Sequence, residues 1–312
     1  MSAATLWKSL ATILVSAFLA TDANALFRAY LSATGSDSNP CTLPAPCRLL
    51  PAALAAVDSG GQIWILDSAN YNTASVAIGK SVSIVAVPGV IGSVLAIGGP
   101  AINVGTPAIK VSLRNVVIGN LPGAGGIDGL LVSASDSQVA LEDCLVENMP
   151  GRGVSIVSAS KVQVTNSTVR NTGESGVYVA ANGSVVVTRS RLIANPIGVW
   201  VNGTTAGDTG GTVSDSLVSG GSTGISASST VAGAFVRATV TGSTIEGNFT
   251  ALHTDTGATT AVTNVYFSGN TITNNYYSFY ANGLVANMLS LGHNNMLGNT
   301  STFGVMSTGS LQ

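Results

Sequence analysis

Charged residues are scarce in this chain. Aspartate, glutamate, lysine and arginine make up only 8% of its 312 residues, and the net charge is −2. Proteins that bind nucleic acid or an anionic membrane surface concentrate basic residues on one face, and no such cluster stands out in this sequence. The composition therefore predicts no nucleic-acid partner.

Cysteine is also rare, with three residues. The cysteine–histidine spacing of a zinc site and the glycine-rich phosphate loop are both missing, so we predict neither a metal site nor a cofactor. Cys41 and Cys47 flank a turn-rich segment, 42–46, and in an exported chain this spacing predicts a local disulfide. Cys144 falls inside a repeat, which indicates a small buried side chain rather than a reactive thiol.

The sequence lacks an apolar run of the ~20 residues that a membrane-spanning helix needs. The apolar run 10–20 is shorter, follows the positive Lys8 and precedes Ala23-Asn24-Ala25, a small-residue cleavage site. This order predicts a cleavable signal peptide over residues 1–25. The mature chain would begin near Leu26, carry no integral membrane segment, and be secreted or periplasmic.

What the sequence does contain is a repeat with a period of 23 residues. The matching positions are Val139 and Val162, Leu141 and Val164, Asn148 and Asn171, Gly153 and Gly176, Val154 and Val177, and Ile156 and Val179. Such a period marks a solenoid, in which one supersecondary unit stacks on the next. Propeller blades need about 40 residues or more. A shorter coil with three β-runs and tight turns fits a parallel β-helix.

One helix is predicted, over residues 49–57, with Pro51 in its first turn and Gly60-Gly61 after its end. We expect this helix to cover the open hydrophobic end of the first coil. The predicted organisation is a signal peptide (1–25), an N-terminal segment with the capping helix (26–61), and the β-helix (62–312).

An asparagine follows the short apolar core of most coils. The positions are Asn120, Asn148, Asn171, Asn195, Asn248, Asn275 and Asn299, with Gly220 in the remaining coil. We predict that these side chains form one ladder that satisfies backbone groups of a buried bend. The alternative is that asparagine is simply common in turns.

The segments around the helix resemble the pectin-lyase-like right-handed β-helix proteins, in particular exported bacterial members without an assigned activity. The resemblance is carried by Asn39-Pro40-Cys41, Pro46-Cys47-Arg48, the helix, Gly60-Gly61-Gln62-Ile63-Trp64-Ile65-Leu66-Asp67 and Lys80-Ser81-Val82-Ser83-Ile84. It implies an all-β fold, a right-handed parallel β-helix (solenoid) with a short N-terminal capping helix. It leaves the activity open, because this fold carries lyases, hydrolases, esterases, epimerases, adhesins and tail proteins.

In relatives that cleave polysaccharides, the working residues lie on or just before the sheet that follows the Asn turn. Strand alternation points one residue per coil outward from this sheet. Four of these residues carry rings, and we predict that they form an exposed ligand-binding column that stacks on sugar faces: Tyr178, Trp200, His253 and Tyr280. The same slot holds Ser155, Ser226 and Met306. The alternative is that the rings stack on one another and only cover the sheet.

Three charged residues precede this sheet and are the weak catalytic candidates: Asp128, Arg152 and Glu174. Two acids and an arginine in a groove would support acid–base cleavage of a polysaccharide. The alternative is a surface ion pair between Asp128 and Arg152, worth under ~1 kcal/mol. The paired-Asp, Gly-His-Gly and Arg-x-Lys elements of polygalacturonases are missing, as is the calcium-binding Asp cluster of pectate lyases. The sequence therefore contains no complete catalytic constellation.

These observations favour an exported β-helix that serves as a surface-binding or structural module, with polysaccharide as the expected partner. The alternative is a carbohydrate-active enzyme, either a polysaccharide lyase or a glycoside hydrolase. The two differ in whether carboxylates converge in a groove on the sheet that follows the Asn turn.

Overall fold

The structure, a computed structural model, describes residues 26–283 and 285–309. The predicted signal peptide, residues 1–25, lies outside the described residues. So do Leu284 and residues 310–312 of the predicted β-helix.

Three parallel sheets form the walls of a solenoid, and each coil crosses them in the same order. The twelve-stranded sheet contains Leu26–Leu31, Val57–Ile65, Val82–Ala86, Lys110–Arg114, Gln138–Glu142, Lys161–Thr165, Ser184–Thr188, Gly207–Ser214, Ala234–Thr241, Val262–Ser268, Ala286–Ser290 and Met306–Thr308. The nine-stranded sheet contains Ala69–Asn70, Gly92–Ala96, Val116–Asn120, Leu145–Glu147, Thr168–Arg170, Arg191–Ile193, Leu217–Ser219, Thr244–Glu246 and Thr271–Thr273. The ten-stranded sheet contains Val76–Ile78, Ile102–Val104, Leu130–Val132, Val154–Ile156, Ser175–Val179, Ile197–Gly203, Thr223–Ser229, Thr250–Thr256, Tyr277–Gly283 and Ser301–Phe303.

Residues that are one 23-residue period apart are register partners on adjacent strands. Val139 pairs with Val162, and Val162 with Val185, so identical side chains stack in inward columns. These residues are buried. The prediction of an all-β parallel solenoid is confirmed, because a β-branched residue at every second position suits a strand that is buried on one face.

One helix, α1 (Leu50–Ala56), lies near the N-terminus. Its Leu50, Ala53 and Leu54 are buried, and it packs against the strands Leu26–Leu31, Val57–Ile65 and Val76–Ile78. The predicted helix is therefore present, but it ends at Ala56 because Val57 takes an extended conformation and begins a strand. The N-terminal segment is also part of the solenoid, since Leu26–Leu31 is the edge strand of the twelve-stranded sheet.

Cys41 and Cys47 are joined by a disulfide, with their Cα atoms 4.6 Å apart. Cys144 is a free, buried thiol. Burial raises the pKa of Cys144 to about 11, so this thiol is neutral at ordinary pH. Among the described residues, no helix is long and apolar enough to cross a membrane.

The predicted Asn ladder lies at the turn that leads from the nine-stranded sheet to the ten-stranded sheet. The asparagines occupy two successive positions of this turn, an outer slot and an inner slot, rather than one. Asn148 and Asn171 hold the outer slot, where both are exposed and have positive φ angles of 58° and 54°. The inner slot is buried and holds Asn195, Asn248, Asn275 and, half-buried, Asn299. The assignment of Asn171 to the buried ladder is therefore wrong by one residue. In the coils that repeat every 23 residues, the inner slot holds Met149 and Thr172 instead.

The inner slot forms a continuous hydrogen-bond chain in the last coils. The Asn275 Oδ1 accepts from the backbone N–H of Asn248 at 3.0 Å, and the Asn299 Oδ1 accepts from that of Asn275 at 3.1 Å. Each amide nitrogen donates to a backbone carbonyl, for example Asn248 to Val218 at 3.2 Å. A ladder is thus present, and it satisfies backbone groups that would otherwise be buried without partners.

A second ladder, which the sequence analysis missed, follows the twelve-stranded sheet. At this two-residue turn, the side-chain oxygen of each coil accepts the backbone N–H of the preceding coil at 2.9–3.2 Å. The accepting residues are Ser167, Ser190, Ser216, Ser243, Asn270 and Asn294. The serines recur at the spacing of the coils, which is the signal that would have revealed them.

Candidate functional site

The outward column of the ten-stranded sheet is continuous over seven strands. Successive register partners are Ser155, Tyr178, Trp200, Ser226, His253, Tyr280 and Phe303. The structure thus brings all four predicted ring residues into one column. The assignment of Met306 to its end is wrong, because Met306 pairs with Met288 in the twelve-stranded sheet. Phe303 takes that place.

Tyr178 is not exposed as predicted. Only 5% of the residue is accessible, because the Arg152 guanidinium carbon lies 3.6 Å from the centroid of its ring. The Trp200 ring meets it edge-on, with centroids 5.1 Å apart. Tyr178 therefore supports Trp200 rather than offering a free face.

Trp200 is half-buried and fixed by a hydrogen bond. Its Nε1–H donates to the Ser228 hydroxyl at 2.8 Å. A buried indole N–H needs such a partner, and this one sets the plane of the ring. The indole is therefore held in place before any ligand arrives.

A second outward column, made of polar residues, runs beside the rings. Its members are register partners on four adjacent strands: Asn202, Ser228, Asp255 and Asn282. The Asn282 amide donates to the Asp255 carboxylate at 3.0 Å. Asn202, Ser228 and Asp255 are half-buried, and Asn282 is exposed. This column was not predicted from the sequence, although its last three members recur at one interval of 27 residues.

His253 lies in the ring column between Ser226 and Tyr280, on the same strand as Asp255 of the polar column. Its Nδ1 is 2.9 Å from the Ser226 hydroxyl, so the two are hydrogen-bonded. Burial lowers the pKa of His253 from its ordinary 6.5, although the Asp255 carboxylate opposes the shift. The imidazole is therefore neutral at pH 7 and can accept or donate a proton. The Tyr280 ring lies on the next strand, with its centroid 5.6 Å from that of His253.

Four further rings, which the sequence analysis also missed, gather at the C-terminal end of this surface. Phe249 and Tyr276 stack in parallel, with centroids 4.9 Å apart and an angle of 3° between the planes. Tyr277 meets both edge-on, and Phe303 stacks on Tyr280 at 4.3 Å. Phe249, Tyr276 and Phe303 are exposed. The sequence signal was again a 27-residue interval, here between Phe249 and Tyr276, which occupy equivalent turns of successive coils.

The three charged candidates meet at Arg152. The Arg152 guanidinium donates to the Glu174 carboxylate at 2.7 Å, and the Arg152 backbone N–H donates to the Asp128 carboxylate at 2.8 Å. The expected side-chain pair between Asp128 and Arg152 is therefore wrong: the guanidinium pairs with Glu174. Both carboxylates are occupied in holding neighbouring turns together.

This charged cluster is remote from His253. Arg152 precedes the strand Val154–Ile156, and the strand of His253 is four strands further along the sheet. At ~4.8 Å per strand, the separation is about 19 Å. The two groups cannot act on one glycosidic bond. Within the described residues, no three His, Cys, Asp or Glu side chains are placed to hold a metal ion.

The comparisons with known proteins agree with this architecture. The family described as right handed beta helix region matches residues 100–209. An alginate lyase from Paenibacillus sp. str. FPU-7 shares 14% identity and superposes with a TM-score of 0.61, over 89% of this chain and 99% of the lyase. The pectate lyase Pel9A shares 15% identity with a TM-score of 0.58, over 90% of this chain and 79% of the lyase.

A third similar structure is the A-module of the mannuronan C-5 epimerase AlgE4 from Azotobacter vinelandii. It shares 12% identity with a TM-score of 0.50, over 81% of this chain and 91% of the module. No curated protein matches the sequence. At these identities the likeness establishes the fold and leaves the activity open. The chain is a right-handed parallel β-helix protein with a pectate lyase-like fold.

Proposed function

We propose that this protein binds a polysaccharide along the outer face of the ten-stranded sheet. The observation that carries the proposal is the pairing of a ring column with a polar column on the same strands. Sugar rings offer apolar C–H faces and a rim of hydroxyl groups. Aromatic faces complement the first, and amide, hydroxyl and carboxylate groups complement the second.

The binding surface we assign has a defined composition. Trp200, His253 and Tyr280 supply half-buried rings in the column. Phe249 and Tyr276 add a parallel, exposed pair at the C-terminal end. Tyr178 positions Trp200 from the side. Strands repeat every ~4.8 Å, so a long polymer suits the site better than a small ligand.

The fold gives independent support. The similar solved structures include an alginate lyase, a pectate lyase and a mannuronan epimerase. A solenoid of this type is thus a known scaffold for proteins that handle polysaccharides. We also propose that the chain acts outside the cytoplasm after removal of residues 1–25, which the Cys41–Cys47 disulfide favours because disulfides persist in oxidising compartments. N-terminal sequencing of the secreted protein should begin near Leu26.

The test is a polysaccharide array followed by affinity electrophoresis on each glycan that binds. We expect Trp200→Ala to weaken binding by about tenfold, since an aromatic contact contributes roughly 0.5–1.5 kcal/mol beyond its buried area. Binding should persist at moderate salt because ring stacking is not screened. The matched control is Phe27→Ala, which removes an exposed ring from the twelve-stranded sheet.

Thermal unfolding separates a lost fold from a lost contact. If Trp200→Ala and the double variant Phe249→Ala/Tyr276→Ala stay folded and retain the glycan like the wild type, the rings only cover the sheet.

A second candidate function, polysaccharide cleavage by proton transfer, rests on His253. A neutral imidazole beside a tyrosine is a suitable acid–base pair, and Ser226 fixes its orientation. The array should then be analysed for shortened products as well as for binding. Release of products at saturating glycan that His253→Gln abolishes would establish an enzyme. Binding without products would leave the protein as a binding module.

A further inference from the structure

A connected network of side chains runs from the charged cluster at Arg152 to the Trp200 indole. Arg152 precedes the strand Val154–Ile156, which pairs with the strand of Tyr178, and Tyr178 is the register partner of Trp200. The charged cluster therefore lies only two strand steps from the indole. We call the residues that connect them the Trp200 network: Arg152, Tyr178, Asn202 and Ser228.

The first part of the network consists of stacked flat groups. The Arg152 guanidinium carbon lies 3.6 Å from the centroid of the Tyr178 ring, well within the range of a cation–π contact. The Tyr178 ring in turn meets the Trp200 ring edge-on, with centroids 5.1 Å apart and 75° between the planes. A rotation of the Tyr178 ring would therefore disturb both of its neighbours.

The second part is a chain of hydrogen bonds that returns to the same tyrosine. The Trp200 Nε1–H donates to the Ser228 hydroxyl at 2.8 Å, and this hydroxyl donates to the Asn202 Oδ1 at 3.5 Å. The Asn202 amide nitrogen donates to the Tyr178 hydroxyl at 3.1 Å. The indole is thus connected to Tyr178 by two routes, one through its ring and one through its N–H.

Arg152 is itself held by two carboxylates from neighbouring coils. Glu174 accepts from the guanidinium at 2.7 Å, and Asp128 accepts from the backbone N–H at 2.8 Å. The Arg152 side chain is only 22% exposed, so water competes weakly for these bonds. The guanidinium is therefore fixed on the Tyr178 ring rather than free to reach a ligand.

We propose that Arg152 is a positioning residue, which holds the Trp200 indole in one orientation through Tyr178. The inference rests on the proposed function, because it concerns the same ring column. A ring that is already fixed in the free protein loses little freedom when a ligand binds, and pre-organisation of this kind strengthens binding. Asp128 and Glu174 then serve to hold Arg152 in place rather than to transfer protons.

The test follows the Trp200 indole in the free protein by fluorescence. The chain has three tryptophans, so the background Trp7→Phe/Trp64→Phe leaves Trp200 alone. We expect Arg152→Met to lower the fluorescence anisotropy of the indole and to raise its quenching by acrylamide, because a loosened Tyr178 no longer fixes the ring. In a Tyr178→Leu background, Arg152→Met should change neither signal further, since the ring that transmits its effect is missing.

The matched control is Arg170→Met, which removes an arginine that pairs with Glu147 at 2.6 Å on the nine-stranded sheet and should leave both signals unchanged. A second variant, Glu174→Gln, weakens the hold on Arg152 without emptying the face of Tyr178, and should shift both signals in the same direction as Arg152→Met. Circular dichroism and thermal unfolding identify the variants that fold. Wild-type signals in the folded variants, or an equal change in the control, would overturn the proposal.

Glycan binding then shows whether Arg152 acts only through the indole. On a glycan that the array identifies, Arg152→Met should weaken binding by about threefold, the size of one cation–π contact. It should cause no further loss in a Trp200→Ala background, whereas additive losses would mean that Arg152 contacts the glycan itself and would overturn its positioning role. If no glycan binds, the proposed function fails, and the fluorescence of the free protein still decides whether Arg152 positions Trp200.

Discussion

The coils between residues 138 and 193 and those between 197 and 283 share one core but differ in length. Equivalent residues are 23 positions apart in the first region, as for Asn148 and Asn171. They are 26 or 27 apart in the second, as for Asn202 and Ser228 and for Ser226 and His253. The ten-stranded sheet has three-residue strands such as Val154–Ile156 in the first region and seven-residue strands such as Thr223–Ser229 in the second.

The extra residues create the candidate site. A three-residue strand has room for one outward residue, whereas a seven-residue strand has room for several. The polar column of Asn202, Ser228, Asp255 and Asn282 lies on the seven-residue strands, beside the rings of the same strands. The strands of one sheet can thus be longer in a few coils of a solenoid, while the inward-facing residues of all coils stay in register.

The two regions also differ in turn chemistry. The inner turn slot holds Met149 and Thr172 in the short coils and Asn248 and Asn275 in the long coils. The Met149 side chain fills space, and the Thr172 hydroxyl donates to the Asn195 side chain at 3.0 Å. The amides of the long coils instead satisfy backbone groups of both neighbouring coils, so the long coils should depend more strongly on hydrogen bonds at this position.

The largest expected effect is the loss of an inner-slot amide. Asn248→Ala removes the acceptor for the Gly221 N–H and the donor to the Val218 carbonyl. Buried groups without partners cost roughly 1–3 kcal/mol each, so we expect the free energy of unfolding to fall by about 3 kcal/mol. Urea unfolding followed by circular dichroism measures this.

The matched control in the short coils is Asn171→Gly. Asn171 is exposed and has a φ of 54°, a conformation that glycine adopts without strain. We expect a change below about 0.5 kcal/mol. Equal losses of unfolding free energy in Asn248→Ala and Asn171→Gly would show that the inner and outer slots contribute equally to stability, which would contradict the prediction.

A smaller effect is expected from the polar column. Asp255→Ala should weaken polysaccharide binding by about fivefold, since one hydrogen bond contributes roughly 1 kcal/mol. Asn103→Ala removes a half-buried outward amide from a three-residue strand of the same sheet, Ile102–Val104, and should leave binding unchanged. Affinity electrophoresis of both variants decides whether the widened wall is the binding surface. A loss in Asn103→Ala as large as that in Asp255→Ala would contradict it.

The last prediction concerns pH. The pKa of His253 is lower in the folded protein than its ordinary 6.5 because the ring is buried. The unfolded chain therefore binds the proton more readily, so stability is complete above pH 6.5 and declines as the pH falls through and below that value. His253→Gln should flatten this part of the stability–pH curve. An identical slope in the variant would show that another group titrates.

Much of the fold follows from local patterns. The 23-residue period, the alternation of valines and the proline–glycine punctuation around α1 each depend on a few neighbouring residues. They therefore predicted the solenoid, its cap and the sheet that carries the rings. Side-chain surroundings depend on residues a coil away. Tyr178 alternates outward as predicted, yet Arg152 from the preceding coil covers it.

Register errors have the same origin. Asn171 and Asn195 follow similar apolar cores in turns of equal length, and Ala194 takes the outer, positive-φ position that Asn171 holds one coil earlier. The asparagine of the later coil is therefore one residue further along, in the inner slot. A shift of one position exchanges solvent for core in such a turn, and the spacing of asparagines in the sequence is too irregular to detect it.

By itself, the sequence determined that this chain stacks short coils into parallel sheets, because hydrophobic periodicity is a local property that every coil repeats. The tertiary structure alone decided which surfaces the coils share. It placed the polar column beside the rings, buried Tyr178 under Arg152, and turned the Arg152 guanidinium toward Glu174 rather than Asp128. Each of these contacts joins residues from different coils, and their geometry is set by the register between strands rather than by distance along the chain.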